Sequence, residues 1–102
     1  DGTGAAAQPT EVLLLRDAGN LYLGFRCTEP LMDKLQPGGA GKDRDVWAND
    51  SVEFFLAPPA GGYCHFGVNA AGGTYEARGK DRAWSAGMAA VARTGRGEWF
   101  AA

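Results

Sequence analysis

An all-β fold, an antiparallel β-sandwich of immunoglobulin or jelly-roll kind, is what this sequence predicts, and three observations predict it. Short runs alternate apolar and polar residues with the period of two that sends successive side chains to opposite faces of a strand. Sixteen glycines and five prolines in 102 residues punctuate those runs with turns. No stretch sustains the periodicity of a helix. Short strands divided by turns in this way bury their apolar faces by packing two sheets together.

The strands follow in order. Residues 10–16 (TEVLLLR) and 20–27 (NLYLGFRC) flank the turn Asp17-Ala18-Gly19-Asn20 and form the clearest hairpin signal. Leu21, Leu23, Phe25 and Cys27 share one face of the second run; Tyr22, Gly24 and Arg26 share the other. Residues 29–48 are a long connection with Pro30, Pro37 and Gly38-Gly39, which reads as functional or mobile, with a brief helical turn suggested at 31–35. A run that reads as a strand from Ser51 onward comes next, and Pro58-Pro59, which cannot donate to a ladder, stop it. Val52, Phe54 and Leu56 lie on one face, with Ser51, Glu53 and Phe55 on the other. In residues 63–70 (YCHFGVNA), Cys64, Phe66 and Val68 take the core side and Tyr63, His65 and Asn69 oppose them. Ala71-Gly72-Gly73 turns the chain into TYEAR at 74–78, where Tyr75 and Ala77 alternate with Thr74, Glu76 and Arg78. A polar loop at 79–87 carries Trp84, and the runs at 88–94 and from Glu98 complete the set. This parity predicts Val52, Phe54, Leu56, Phe66 and Val68 buried, with Glu53 and Asn69 facing away from them.

Composition narrows the function. A net charge of −2 with no basic block excludes nucleic acid and anionic membranes as electrostatic partners. No apolar run approaches the ~20 residues of a membrane-spanning helix. Without an initiator Met or a signal peptide, and with GEWFAA reading as a strand newly begun, the chain is expected to be an excised piece. Residues 1–9 are expected to be a flexible N-terminal segment, and residues 10–102 the sandwich. Cys27 and Cys64 lie too far apart for a CxxC motif. Both fall on apolar parity, which suits buried thiols; a disulfide is the alternative and implies an oxidising compartment.

The residues that carry chemistry centre on RDVWANDSVEFFLAP at 44–58. Trp47 stands in a short acidic segment just before a strand that aims Glu53 away from the core. A flat ring suits the C–H groups of a pyranose, and a carboxylate accepts bonds from its hydroxyls. Arg26, His65 and Asn69 share the polar parity of Glu53 and are candidates for further polar contacts. The plainer reading is a half-exposed sheet with Arg26 and Glu53 as a cross-strand ion pair. Catalysis is disfavoured, because glycoside hydrolysis needs two carboxylates at a set separation and the acids near Glu53 lie in the loop. His65 is the only histidine, and no nucleophile-elbow motif accompanies it. Asp43, Asp45 and Asp50, with Asn49 and Asp33, offer oxygen ligands to a hard cation such as Ca²⁺, though their spacing is not that of an EF-hand. Asn49-Asp50-Ser51 also matches the N-glycosylation pattern. His65, Met32 and Met88 supply the residue types of haem axial ligands without a committed spacing.

Three elements, TEVLLLRDAGNLYLGFRCTEP, the Trp-x5-Glu stretch RDVWANDSVEFFLAP and YCHFGVNAAGGTYEA, taken in that order, resemble the family 9 carbohydrate-binding modules and the wider DOMON-like β-sandwiches. The resemblance covers most of residues 10–77. It implies a non-catalytic domain attached to a xylanase or another secreted glycoside hydrolase, extracellular or periplasmic, that serves polysaccharide catabolism. It also implies sugar held between aromatic rings, with structural calcium nearby and the parent chain's catalytic domain as partner. Position by position, Trp47 matches the first stacking aromatic and Glu53 the hydroxyl-binding carboxylate, and Trp84 is the candidate for a second ring. Family domains are nearly twice this length, so the resemblance also implies closing strands beyond residue 102. Two other readings stand beside it: a DOMON-type haem or electron-transfer domain, and a structural sandwich that binds nothing.

Overall fold

A computed structural model describes residues 9–102; the segment expected to be flexible, residues 1–9, lies outside the described residues except for Pro9. Among the described residues the chain is all-β. Its strands are β1 (Thr10–Arg16), β2 (Leu21–Thr28), β3 (Ser51–Leu56), β4 (Cys64–Asn69), β5 (Thr74–Arg78), β6 (Ala92–Gly95) and β7 (Glu98–Ala101). Two 3₁₀ turns, Met32–Lys34 and Val46–Ala48, interrupt the long connection between β2 and β3. The strands make two antiparallel sheets, ordered β1-β2-β7-β6 and β3-β4-β5.

Local chemistry explains the first hairpin. The Asp17 N–H donates to the Asn20 carbonyl at 3.0 Å, closing a two-residue loop of Ala18 and Gly19. The Asp17 carboxylate accepts the N–H groups of Gly19 and Asn20 at 2.9 and 2.8 Å and the Tyr22 hydroxyl at 2.8 Å. The Gly19 bond, then the Tyr22 bond, holds that carboxyl below its ordinary range. Asp17 therefore works as an anionic clip at the surface.

The main core lies between the sheets. Phe25 and Cys27 of β2 and Trp99 and Ala101 of β7 meet Val68 of β4 and the neighbouring Ala70, with Leu23, Val52, Phe54 and Met88 packed around them. Phe25 faces Phe54 across the sheets at 6.1 Å between ring centroids, and Phe54 stacks on its cross-strand neighbour Phe66 at 4.8 Å. Parity is right for Phe66 and Val68, which are buried, whereas Val52 and Phe54 are only half-buried and Leu56 is exposed. Leu56 lines an open cleft of about 400 Å³ between the sheets, shared with Leu21, Leu23 and Met88. Cys27 and Cys64 are both free thiols, and burial pushes the Cys27 thiol up.

β5 departs from the usual pattern. Its register with β4 places Tyr75 beside Gly67 and Ala77 beside His65, so these apolar residues face away from the main core. There they build a second small core with Val46. Glu76 points the other way, alongside Phe66, and is buried. Its carboxylate accepts the Ser85 hydroxyl at 2.7 Å and the N–H groups of Ala86 and Met88 at 3.1 and 3.0 Å. A buried carboxylate is tolerable because three donors surround it.

The connection between β2 and β3, expected to be functional or mobile, is pinned along its length. The Asp50 N–H donates to the Gln36 carbonyl at 2.8 Å, and the Gln36 N–H donates to the Asp50 carboxylate at 2.7 Å. The Thr74 N–H donates to the Gly41 carbonyl at 2.8 Å and the Arg44 N–H to the Thr74 carbonyl at 3.0 Å. Asn69, fully buried, ties this strap to the β4–β5 turn. Its amide donates to the Gly39 carbonyl at 2.9 Å, and its side-chain oxygen accepts from Ala71 and Gly73 at 3.1 and 2.7 Å. Gly73 is required here, since a Cβ would collide with the Gly39 carbonyl.

Asn69→Ala strands these partners away from water, at roughly 1–3 kcal/mol for each buried group left unpaired. The expected outcome in urea unfolding is a loss of about 3 kcal/mol or more. A change below about 0.5 kcal/mol, the size of an ordinary surface substitution, would contradict this account of Asn69.

Candidate functional site

The outer face of the β3-β4-β5 sheet begins with a missing side chain. Gly67 lies between Glu53 and Tyr75 in the register, and Val46 sits over its bare backbone, completely buried. A Cβ at position 67 would stand 2.5 Å from the Val46 Cγ2. The turn Val46–Ala48 is closed by the Ala48 N–H to the Asp45 carbonyl at 3.1 Å and the Asn49 N–H to the Val46 carbonyl at 3.0 Å. Val46 therefore acts as a plug, and the turn it anchors holds Trp47 against the sheet.

Trp47 is 49% exposed. Its other half meets Tyr75 edge-on, with centroids 5.0 Å apart, and lies near His65 at 6.4 Å with ring planes 25° apart. His65 in turn stacks on Phe55, its cross-strand neighbour, at 4.2 Å and 16°, and Phe55 neighbours Tyr63 at 6.2 Å. A band of rings thus runs from Tyr63 through Phe55 and His65 to Trp47, and Phe55 itself is 58% exposed. Polar groups border the band. The His65 Nε2 and a Glu53 carboxylate oxygen are 2.9 Å apart. Arg82 lies over the rings of Trp47 and Tyr75, its guanidinium carbon 5.8 and 5.0 Å from their centroids, and donates to the Asp45 carboxylate at 2.8 Å.

Of the residues expected to bind sugar, Trp47, Glu53 and His65 come together here. Arg26 does not join them, because β2 belongs to the other sheet. It pairs with Glu98 at 2.7 Å rather than with Glu53, and that bond, reinforced by charge from Glu98 and Glu11, raises its pKa. Asn69 shares the face of Glu53 by parity, but the strap covers it and every bond described for it goes to the β2–β3 strap or the β4–β5 turn. Trp84 stands edge-on to Phe66, on the opposite face of the sheet from Trp47, so the two rings cannot flank one sugar. Tyr75 and Arg82 were not anticipated as site residues. Polar-side parity pointed to Phe55 and Tyr63; nothing in the sequence placed Arg82.

The acidic loop does not gather as a metal cage. Asp45 holds Arg82, Asp50 caps Gln36, and Asp43 takes a left-handed backbone with φ of 59°. Among the described residues no three His, Cys, Asp or Glu side chains cluster in a way that could hold an ion. The haem candidates are also divided: His65 belongs to the outer face, while Met88 lines the cleft between the sheets.

Chemically, the face offers apolar ring surface bordered by hydroxyl-accepting carboxylates and a guanidinium donor. Each of these carboxylates already has a partner, Glu53 with His65 and Asp45 with Arg82. Comparison with protein-family models, with curated proteins and with solved structures found no match in any of the three.

Gly67→Ala tests the plug. The added methyl must displace Val46, at a cost of about 1–3 kcal/mol for overpacking. The Trp47 indole N–H resonance is expected to shift in a two-dimensional NMR spectrum, while that of Trp99, in the main core, stays in place. An unmoved Trp47 signal would show that Val46 does not set its position.

Proposed function

We propose that this chain is a non-catalytic carbohydrate-binding domain that takes sugar on the outer face of the β3-β4-β5 sheet. Trp47 is the stacking platform, Glu53 the acceptor of hydroxyl bonds, and His65 the group that orients Glu53. The observation that carries this reading is a half-exposed tryptophan fixed by a buried anchor beside a partly exposed carboxylate. A ring already held in place loses little freedom on binding, which keeps the cost of association low. The resemblance of RDVWANDSVEFFLAP to the family 9 modules supports the same two residues, and with them the role of an accessory domain to a secreted glycoside hydrolase.

A structural module without ligand is the second reading, and one observation favours it. Arg82 lies over Trp47, so the chain's own guanidinium takes part of the surface a sugar would use.

Covering about 60 Å² of ring at ~25 cal/mol per Å² gives roughly 1.5 kcal/mol, or about tenfold in affinity. Trp47→Ala is therefore expected to weaken binding of xylo- or cello-oligosaccharides by about tenfold or more in calorimetry. Because half the ring is packed, the same change is expected to lower stability by roughly 2 kcal/mol, about half the cost of removing a fully buried tryptophan. Affinity unaltered by the substitution, or no heat from either oligosaccharide series with the wild-type chain, would favour the structural module.

A further inference from the structure

Arg82 covers part of the ring that the proposed function assigns to sugar, and its two ends are held very differently. The backbone end is fixed. The Arg78 N–H donates to the Asp81 carbonyl at 3.1 Å and the Asp81 N–H to the Arg78 carbonyl at 3.0 Å. The Gly79 N–H donates to the Tyr63 carbonyl at 2.8 Å, and the Asp81 carboxylate accepts the Ala83 N–H at 3.0 Å. This turn sets where the Arg82 side chain starts, and the side chain crosses Tyr75 and Trp47 to reach Asp45.

The guanidinium end is held lightly. Among the described residues it makes one hydrogen bond, from Nη2 to an Asp45 carboxylate oxygen at 2.8 Å. The Arg82 side chain is 48% exposed and that of Asp45 60% exposed, so water and salt screen the pair. The rings beneath add an exposed cation–π contact, which is also modest. Asp45 precedes the turn Val46–Ala48, yet its carboxylate caps none of that turn's N–H groups. Rotating one side chain therefore uncovers Trp47 without moving the turn that carries it or the turn that carries Arg82.

Stacking a sugar needs the face of an aromatic ring. The guanidinium already stands over Trp47, its carbon 5.8 Å from the ring centroid, where Trp47 and Tyr75 meet at 82°. A pyranose and a guanidinium cannot occupy the same part of that ring, so one gives way. Resting on the sugar-binding reading, we propose that Arg82 is a displaceable cover that lowers the affinity of Trp47 for sugar until it swings aside. Affinity is reduced in proportion to the fraction of chains whose ring is uncovered. Two modest exposed contacts keep that fraction at about a third to a tenth. A neutral sugar brings no charge, so added salt acts by loosening the Arg82–Asp45 pair and strengthens binding.

Calorimetry with xylo- or cello-oligosaccharides tests this on the wild-type chain, Arg82→Ala and Asp45→Asn, each checked for a cooperative melt. Arg82→Ala is expected to tighten binding by about three- to tenfold, and Asp45→Asn to act in the same direction. Wild-type affinity is expected to rise between about 0.01 and 1 M salt, and that of Arg82→Ala to rise less. The Glu53–His65 pair on the same face is present in both chains, so the difference reports on Arg82. Unchanged or weaker binding by a folded Arg82→Ala would overturn the cover and leave the sugar site standing. No heat from the wild type or from either variant would overturn both. Should Arg82→Ala fail to fold, Asp45→Asn and the wild-type salt series decide, and an affinity unmoved in both would overturn the cover.

Discussion

Val46 resting on the bare backbone of Gly67 is the contact from which the outer face of the three-stranded sheet follows. Without a side chain at position 67, the turn Val46–Ala48 comes down onto the sheet and buries Val46 completely. Tyr75 and Ala77 then find apolar cover on a face that would otherwise be wet. Trp47, the next residue, is left with one part against Tyr75 and His65 and the other open to solvent. The exposure of the tryptophan is thus a product of packing beneath it.

The same device explains why β5 looks inverted. In a plain sandwich its apolar residues would point between the sheets. Here Tyr75 and Ala77 serve the small outer core, so Glu76 falls on the inner side and must be satisfied there. The loop after β5 does this with the Ser85 hydroxyl and two backbone N–H groups, and thereby carries Trp84 to Phe66. One glycine on β4 and one carboxylate on β5 together send the two tryptophans to opposite faces.

Strand positions were legible in the sequence because alternation is a local property. TEVLLLR and TYEAR match β1 and β5 residue for residue, and the run read from Ser51 onward begins where β3 begins. The site was legible in part: Trp47, Glu53 and His65 share a surface, as their positions suggested. Parity tells which side of its own strand a residue takes, but not which sheet the strand joins. Arg26 was therefore grouped with Glu53 when its partner is Glu98. Nor does parity reveal what lies above a face, so Asn69 read as a surface amide although the strap covers it. Arg82 was invisible for a related reason, since its place depends on a loop returning to Asp45 from 37 residues away.

On the proposed reading, sugar binds at this packed tryptophan face and not in the cleft between the sheets. Chemical-shift mapping tests it most directly, by titrating the isotope-labelled wild-type chain with xylo- or cello-oligosaccharides. Saturable shifts are expected at the Trp47 indole and at His65, Glu53 and Phe55, with Trp84 and Trp99 unmoved. Shifts confined to Phe66, Met88 and Trp84, or none at all, would contradict it.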